Sequence, residues 1–245
     1  MQKRVAWVTG GTGGIGAEIC RSLAAAGYQV VAGYSNEEKA KVWQAEQKAA
    51  GFDIAISQAD VADFESVQKS HAEIKAQFGA VSVLVNNAGI TRDATLKRMD
   101  ATQWGDVLST NLGSVFNTSK ACFDEMLTQK FGRIINISSI NAEKGQFGQA
   151  NYSAAKAGMH GFTKAVAQEG ARNGVTVNTI SPGYVATDMI MKIEEKIREG
   201  IRAQIPVGRF GEPKDIARIV VFLADEDASF ITGANISANG GQFMH

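Results

Sequence analysis

Cysteine, histidine and an excess of either charge are what this chain has little of. Two cysteines, Cys20 and Cys122, stand in 245 residues. They lie far apart in segments that read as helices, without disulfide or metal-ligand spacing, so they are expected to be buried apolar fillers. The three histidines, His71, His160 and His245, are scattered, which gives a metal centre or an imidazole mechanism little support; no metal site is expected. Lys plus Arg (25) balance Asp plus Glu (25), so no global field points to nucleic acid or an anionic membrane, and an anionic ligand needs a local basic patch. The apolar run over 5–8 is too short for a signal-peptide core, and no stretch approaches the ~18 apolar residues of a membrane span. A cytoplasmic protein without nucleic-acid or membrane partners is expected. Internal repeats and low-complexity linkers are also missing, which reads as one domain over 1–245.

With 44% hydrophobic and 20% charged residues, the chain can bury a sizeable core. A strand over 5–8 runs into Thr9-Gly10-Gly11-Thr12-Gly13-Gly14-Ile15-Gly16, and a helix over 17–26 follows, ended by Gly27. Strand, glycine loop and helix form a pyrophosphate cradle: glycines permit a tight turn and close approach, and the helix N-terminus meets the charge. The second strand, 28–33, ends at Gly33-Tyr34-Ser35-Asn36, with no acid before Glu37-Glu38. A carboxylate there would repel a 2′-phosphate, and its absence favours NADP over NAD. Ser35, Asn36 and Lys39 or Lys41 are candidates to bind that phosphate.

A helix over 37–50, a strand over 53–58 and a helix over 64–78 come next. Asp60 and Val61 lie at a strand end, where Asp60 can accept from an adenine amino group or simply cap the next helix. The fourth strand, 81–85, opens into Asn86-Asn87-Ala88-Gly89, small and amide residues suited to close approach of a ribose.

The stretch from Ser138 to Lys156 carries the chemistry. A buried strand over 133–137 delivers Ser138 and Ser139 to its C-terminal end, where open α/β sheets place ligands. Asn151 reads as the N-cap of a helix running to Asn173-Gly174, so Tyr152 and Lys156, four residues apart, share a face. A phenol of pKa ~10 is a sluggish acid at neutral pH, and bringing it to neutrality takes roughly 4 kcal/mol of differential interaction, which a neighbouring ammonium can supply. A serine hydroxyl can then bond a reacting carbonyl oxygen while Tyr152 protonates it. Local reading does not choose between the two serines.

These motifs together resemble the short-chain dehydrogenase/reductase family over essentially the full length: Thr9-Gly10-x-x-x-Gly14-x-Gly16, Asn86-Asn87-Ala88-Gly89, Asn111, Ser139, Tyr152-x-x-x-Lys156 and Ser181-Pro182-Gly183. The resemblance implies an α/β, single-domain Rossmann fold, with a doubly wound parallel sheet of about seven strands and helices on both faces. It implies catalysis by Ser139, Tyr152, Lys156 and Asn111, the serine being the one thirteen residues before the tyrosine. Asn111 would hold a proton-relay water, and Lys156 would also meet the nicotinamide ribose. Cofactor contacts are expected from Gly10, Gly13, Gly14, Ile15, Gly16, Tyr34, Ser35, Asn36, Lys39, Asp60, Val61, Asn87, Ala88, Gly89, Tyr152, Lys156, Pro182, Gly183 and Val185. One departure is Gly13, where many NADP-preferring relatives carry a basic residue.

Between serine and tyrosine, the amides of Gln146 and Gln149 and the ring of Phe147 are expected to line a pocket for a 3-oxoacyl group, joined by Asp93, Arg98, Asn141 and Tyr184. An amphipathic helix over 187–204, with Ile193, Ile197 and Ile201 every four residues, is expected within a substrate lid at 184–209. Its Lys192, Lys196, Arg198 and Arg202, with Arg92, Lys97 and Arg98, offer a basic rim to an anionic acyl carrier, coenzyme A or carrier protein.

Within the family, the segments around 89–93, 141–152, 181–189 and 239–245 are most similar to members that reduce acetoacetyl-CoA to (R)-3-hydroxybutyryl-CoA with NADPH for poly(3-hydroxybutyrate) synthesis. That implies an acyl-CoA thioester substrate. The second expectation is 3-oxoacyl-acyl-carrier-protein reduction, and a third is a dinucleotide sensor without chemistry, against which the intact Ser139, Tyr152 and Lys156 argue. The family is usually homotetrameric, through helices at 111–131 and 152–172 and the C-terminal strand region; Ala154, Ala155, Gly158 and Gly161 permit close helix packing there and suit core packing equally.

Overall fold

The computed structural model describes residues 3–244; His245 lies outside the described residues. Seven parallel strands form one sheet in the order β3-β2-β1-β4-β5-β6-β7. In chain order the elements are β1 (Val5–Val8), α1 (Gly14–Ala25), β2 (Gln29–Tyr34), α2 (Glu37–Ala49), β3 (Ala55–Gln58), α3 (Phe64–Phe78), β4 (Val81–Asn86), α4 (Ala101–Leu108), α5 (Ser114–Gln129), β5 (Gly132–Ile137), α6 (Asn141–Lys144), α7 (Ala150–Gly170), β6 (Val175–Pro182), α8 (Asp188–Met191), α9 (Glu195–Arg202), α10 (Pro213–Ala224) and β7 (Asn235–Ala238). Strand order reverses between β1 and β4, and a crevice opens there at the C-terminal ends of the strands.

Both faces of the sheet are covered, as near-continuous apolar strands require. Val8, Val30, Ile135 and Ile180 pack with Ile19, Leu23, Ile216 and Val220 of α1 and α10. On the other face Trp7, Val31, Leu84 and Ile134 pack with Val67 and Ile74 of α3 and Cys122 and Met126 of α5. Both cysteines are free and buried, and burial pushes their thiols well above the ordinary range.

Helix α3 has the bounds the sequence predicts, because its signals are local: the Asp63 side chain accepts from Ser66 N at 2.8 Å, and Gly79 ends it. Elsewhere the predicted limits move. Helix α1 starts three residues early, since Gly13 O already accepts from Ala17 N at 3.2 Å. Strand β6 includes Ser181 and Pro182, which pair with Ser237 and Ala238 of β7. The helix expected over 187–204 is two helices. Glu194 takes an extended ψ of 137° and starts α9, leaving Ile193 outside either helix and Ile197 54% exposed. Glu195 in the first turn then suits the positive end of α9.

Candidate active site

Two strand ends are laced together around the glycine loop. Thr9 Oγ1 accepts from the N–H groups of Asn87 and Ala88 at 3.0 and 3.1 Å, and Asn87 Nδ2 donates to the oxygens of Thr9 and Gly10 at 3.0 and 3.1 Å. Gly10 has φ +60°, and a Cβ on Gly16 would lie 2.3 Å from Gly10 O, so both positions need glycine. The loop leads directly into α1, whose first N–H groups have no partner within the helix. A backbone cradle with a positive helix end fits a pyrophosphate.

Beyond it, a cleft of about 270 Å³ runs past Gly10, Gly33, Tyr34, Ser35, Asp60, Val61, Ala88 and Gly89. Asn36 stands outside this lining and is the N-cap of α2, its Oδ1 accepting from Lys39 N at 3.0 Å. Lys41 pairs with Glu37 at 2.7 Å, whereas Lys39 is exposed. Asp60 Oδ1 accepts from Ala62 N at 3.0 Å, while the cap of α3 is Asp63. Asn117, which the sequence did not single out, holds the Val61 carbonyl with Nδ2 at 3.0 Å.

A second cavity of about 270 Å³ brings Ser139, Tyr152 and Lys156 together with Ile15, Asn87, Gly89, Asn141, Gln149, Pro182, Gly183, Tyr184 and Val185. The structure separates the two serines. Ser138 donates to the Lys156 main-chain oxygen at 2.9 Å, whereas Ser139 hydrogen-bonds the Tyr152 phenol and accepts from Asn141 N at 3.1 Å. Lys156, buried in α7, donates from Nζ to the Ile137 oxygen at 2.8 Å and stands 5.7 Å from the Tyr152 ring centre.

The electrostatics differ from the expected lowering of the phenol by the ammonium. Burial raises the Tyr152 pKa, with the Ser139 hydrogen bond pulling it down and the Asp93 charge pushing it up. Burial also lowers Lys156 to about 7. Loss of water favours the neutral form of each group, and the amine is turned to the Ile137 carbonyl rather than to the phenolic oxygen. A neutral phenol is the form that can give a proton.

Asn111 lies in a π-helical turn, Ser109–Gly113, between α4 and α5, rather than in a regular helix interior. It is fully buried, and its amide both donates to Ile90 O (2.9 Å) and accepts from Ile90 N (2.8 Å). A Cβ on Gly89 would stand 3.2 Å from Asn111 Oδ1 and 3.5 Å from Lys156 Nζ, so Gly89 separates the two closely. Asn151 is not the N-cap: Gln149 holds that place without a side-chain bond. Asn151 is instead buried inside α7, where Nδ2 donates to the oxygens of Arg92 and Gln103, both at 3.0 Å. It ties α7 to two neighbouring segments, a role only long-range contacts reveal.

Of the expected substrate residues, Asn141, Gln149 and Tyr184 line the cavity. Asp93 reaches it through Gln149, whose Nε2 donates to the carboxylate at 2.9 Å and whose Oε1 accepts from Asn141 Nδ2 at 2.9 Å. Burial first, then the Asp93 charge, raises the Tyr184 pKa. Gln146, Phe147 and Arg98 lie outside the lining. Gln146 accepts from Lys144 Nζ at 3.1 Å, and Phe147 is 87% exposed. In the basic rim, Arg92 faces Asp106 at 3.8 Å, Arg198 pairs with Glu195 and Arg202 with Glu199. Lys97, Arg98, Lys192 and Lys196 form no ion pair among the described residues.

Residues 4–198 match the family described as short chain dehydrogenase. A protein of Cupriavidus necator named acetoacetyl-CoA reductase is 51% identical over the whole of both chains. One of the same name from Shinella zoogloeoides is 55% identical, covering 98% of this chain and 99% of its own. A 3-oxoacyl-acyl-carrier-protein reductase of Staphylococcus aureus is 46% identical over 98% of each.

Proposed function

The chain belongs to the short-chain dehydrogenase family, and from that premise we propose that it is an NADPH-dependent acetoacetyl-CoA reductase giving (R)-3-hydroxybutyryl-CoA for poly(3-hydroxybutyrate) synthesis. The observation that carries the proposal is the convergence of Ser139, Tyr152 and Lys156 on one cavity, in a chain about half identical to full-length relatives of that name. The 46% identity to a carrier-protein reductase keeps 3-oxoacyl-acyl-carrier-protein reduction as the second reading.

NADPH supplies the hydride when bound along the glycine loop. In the proposed mechanism Ser139 Oγ bonds the 3-oxo oxygen, and Tyr152, kept protonated by burial, gives that oxygen its proton. The Lys156 ammonium stabilises the phenolate left behind, and Asn111 positions the Ile90 segment beside it. The NADPH preference is supported by the acid-free end of β2 and by Ser35 and Lys39, both exposed there. Asn36 keeps its Nδ2 as a donor after capping α2.

We further propose one cytoplasmic catalytic domain with residues 184–209 as a lid, which Ile190 in the cavity lining supports, and a homotetramer built on α5 and α7. Phe116 on α5 is 53% exposed, and Gly161 faces open space. Gly158 supports core packing instead, since a Cβ there would meet Leu112 at 2.7 Å. The test of mechanism is Tyr152→Phe: it binds NADPH as the wild type does and loses about 10²–10⁴-fold in turnover. Full turnover in that variant contradicts it.

A further inference from the structure

Behind the cavity a second set of polar side chains connects four elements. Ser138 Oγ donates to the Lys156 oxygen at 2.9 Å, and His160 Nε2 lies 3.0 Å from that Oγ and 3.4 Å from Ser181 Oγ. Ser181 Oγ donates to Asn235 Oδ1 at 2.8 Å. Asn235 Nδ2 in turn donates at 2.6 Å to Glu143 Oε1, which also accepts from Ser237 Oγ. The chain leaves the backbone at Ser138 and returns to it at Glu143, on the short helix that follows Ser139.

Donor and acceptor rules give this chain one direction. A carboxylate only accepts, so Asn235 must turn Nδ2 toward Glu143 and Oδ1 toward Ser181. Ser181 then spends its single proton on Asn235, and Ser138 spends its own on the Lys156 carbonyl. Neither serine has a hydrogen left for His160, so Nε2 must carry one and donate.

We infer that Glu143 is a positioning residue: its carboxylate, acting through Asn235 and Ser181, and the Lys156 carbonyl, acting through Ser138, together fix the Nε2–H tautomer of His160, which joins α6 and β7 to the Lys156 turn of α7 at the strand end that carries Ser139. This rests on the reading of Ser139, Tyr152 and Lys156 as the reacting groups. Glu143 and the Lys156 carbonyl are the two ends that can only accept; replacing the carboxylate by an amide frees Asn235 and Ser181 to reverse, so that Ser181 can offer His160 a proton while Ser138 stays held by the Lys156 carbonyl.

The test pairs a spectroscopic readout with kinetics. Long-range 1H–15N correlation at about pH 8, where an ordinary imidazole is neutral, is expected to show the His160 hydrogen on Nε2 in the wild type and a mixture of tautomers in Glu143→Gln. The His160 signals are assigned by their loss in His160→Gln. With acetoacetyl-CoA and NADPH, His160→Leu is expected to lower kcat about tenfold or more, with NADPH affinity within about twofold. His160→Gln, whose amide N–H can reach Ser138, recovers most of that loss. A wild-type hydrogen on Nδ1 overturns the inference, as does equal kcat in His160→Leu and His160→Gln. If Glu143→Gln fails to fold, the wild-type tautomer and the His160 pair still decide. If no thioester is turned over, the functional reading has failed, and the tautomer measurement decides the network by itself.

Discussion

Lys156 Nζ bonds the Ile137 carbonyl at 2.8 Å and lies 5.7 Å from the centre of the Tyr152 ring, with its own pKa lowered to about 7 by burial. Burial favours the neutral form of this amine, and keeping its charge comes at a cost to folding.

The first consequence is in stability. A cation whose folded pKa lies below its unfolded value binds fewer protons folded than unfolded, so its contribution to stability rises with pH between about 7 and 10.5. At neutral pH the buried ammonium therefore opposes folding. Lys156→Met is expected to raise Tm by about 5 °C at pH 7, net of the lost bond to Ile137, while abolishing turnover. A lower Tm in thermal denaturation contradicts this.

The same group sets the pH dependence. The Tyr152 pKa is raised, so the phenol stays protonated across the neutral range, while Lys156 loses its proton as pH rises through about 7. Reduction needs the ammonium to receive the phenolate. The kcat/KM for reduction, which reports the free enzyme, is expected to hold below pH about 7 and decline above it; a flat profile from pH 6 to 9 contradicts the assignment.

How far the site was legible follows from the range of the interactions that build it. Tyr152 and Lys156 share a face by helix geometry alone, and the glycine loop is recognisable from its strand and helix context. Asn151 looked like a cap because Asn before an alanine-rich run usually is one. Its actual partners, Arg92 and Gln103, are 59 and 48 residues away in sequence. The π turn at Asn111 carries no local signal, and the choice of Ser139 over Ser138 depends on which hydroxyl is already held by Lys156.

Asn151 gives a direct check on one such contact. Asn151→Ala removes two hydrogen bonds, to the carbonyls of Arg92 and Gln103, from a fully buried side chain, which costs about 1–3 kcal/mol and lowers Tm by roughly 3–10 °C. An unchanged Tm contradicts the bracing role.

Cofactor choice is tested at Ser35, which is exposed and lines the cleft. Position 33 is unsuitable, because a Cβ there would stand 3.2 Å from Trp7 Nε1 and 3.3 Å from Val8 O. Ser35→Asp is expected to weaken NADPH by repulsion of the 2′-phosphate, about tenfold in KM, with little effect on NADH. Equal loss with both cofactors contradicts the placement of that phosphate.

NADPH oxidation followed with acetoacetyl-CoA, beside acetoacetyl carrier protein and beside NADH, decides the activity. The highest kcat/KM is expected for the coenzyme A ester with NADPH. Preference for the carrier protein contradicts it in favour of fatty-acid elongation, and no turnover with either thioester contradicts the reductase assignment itself.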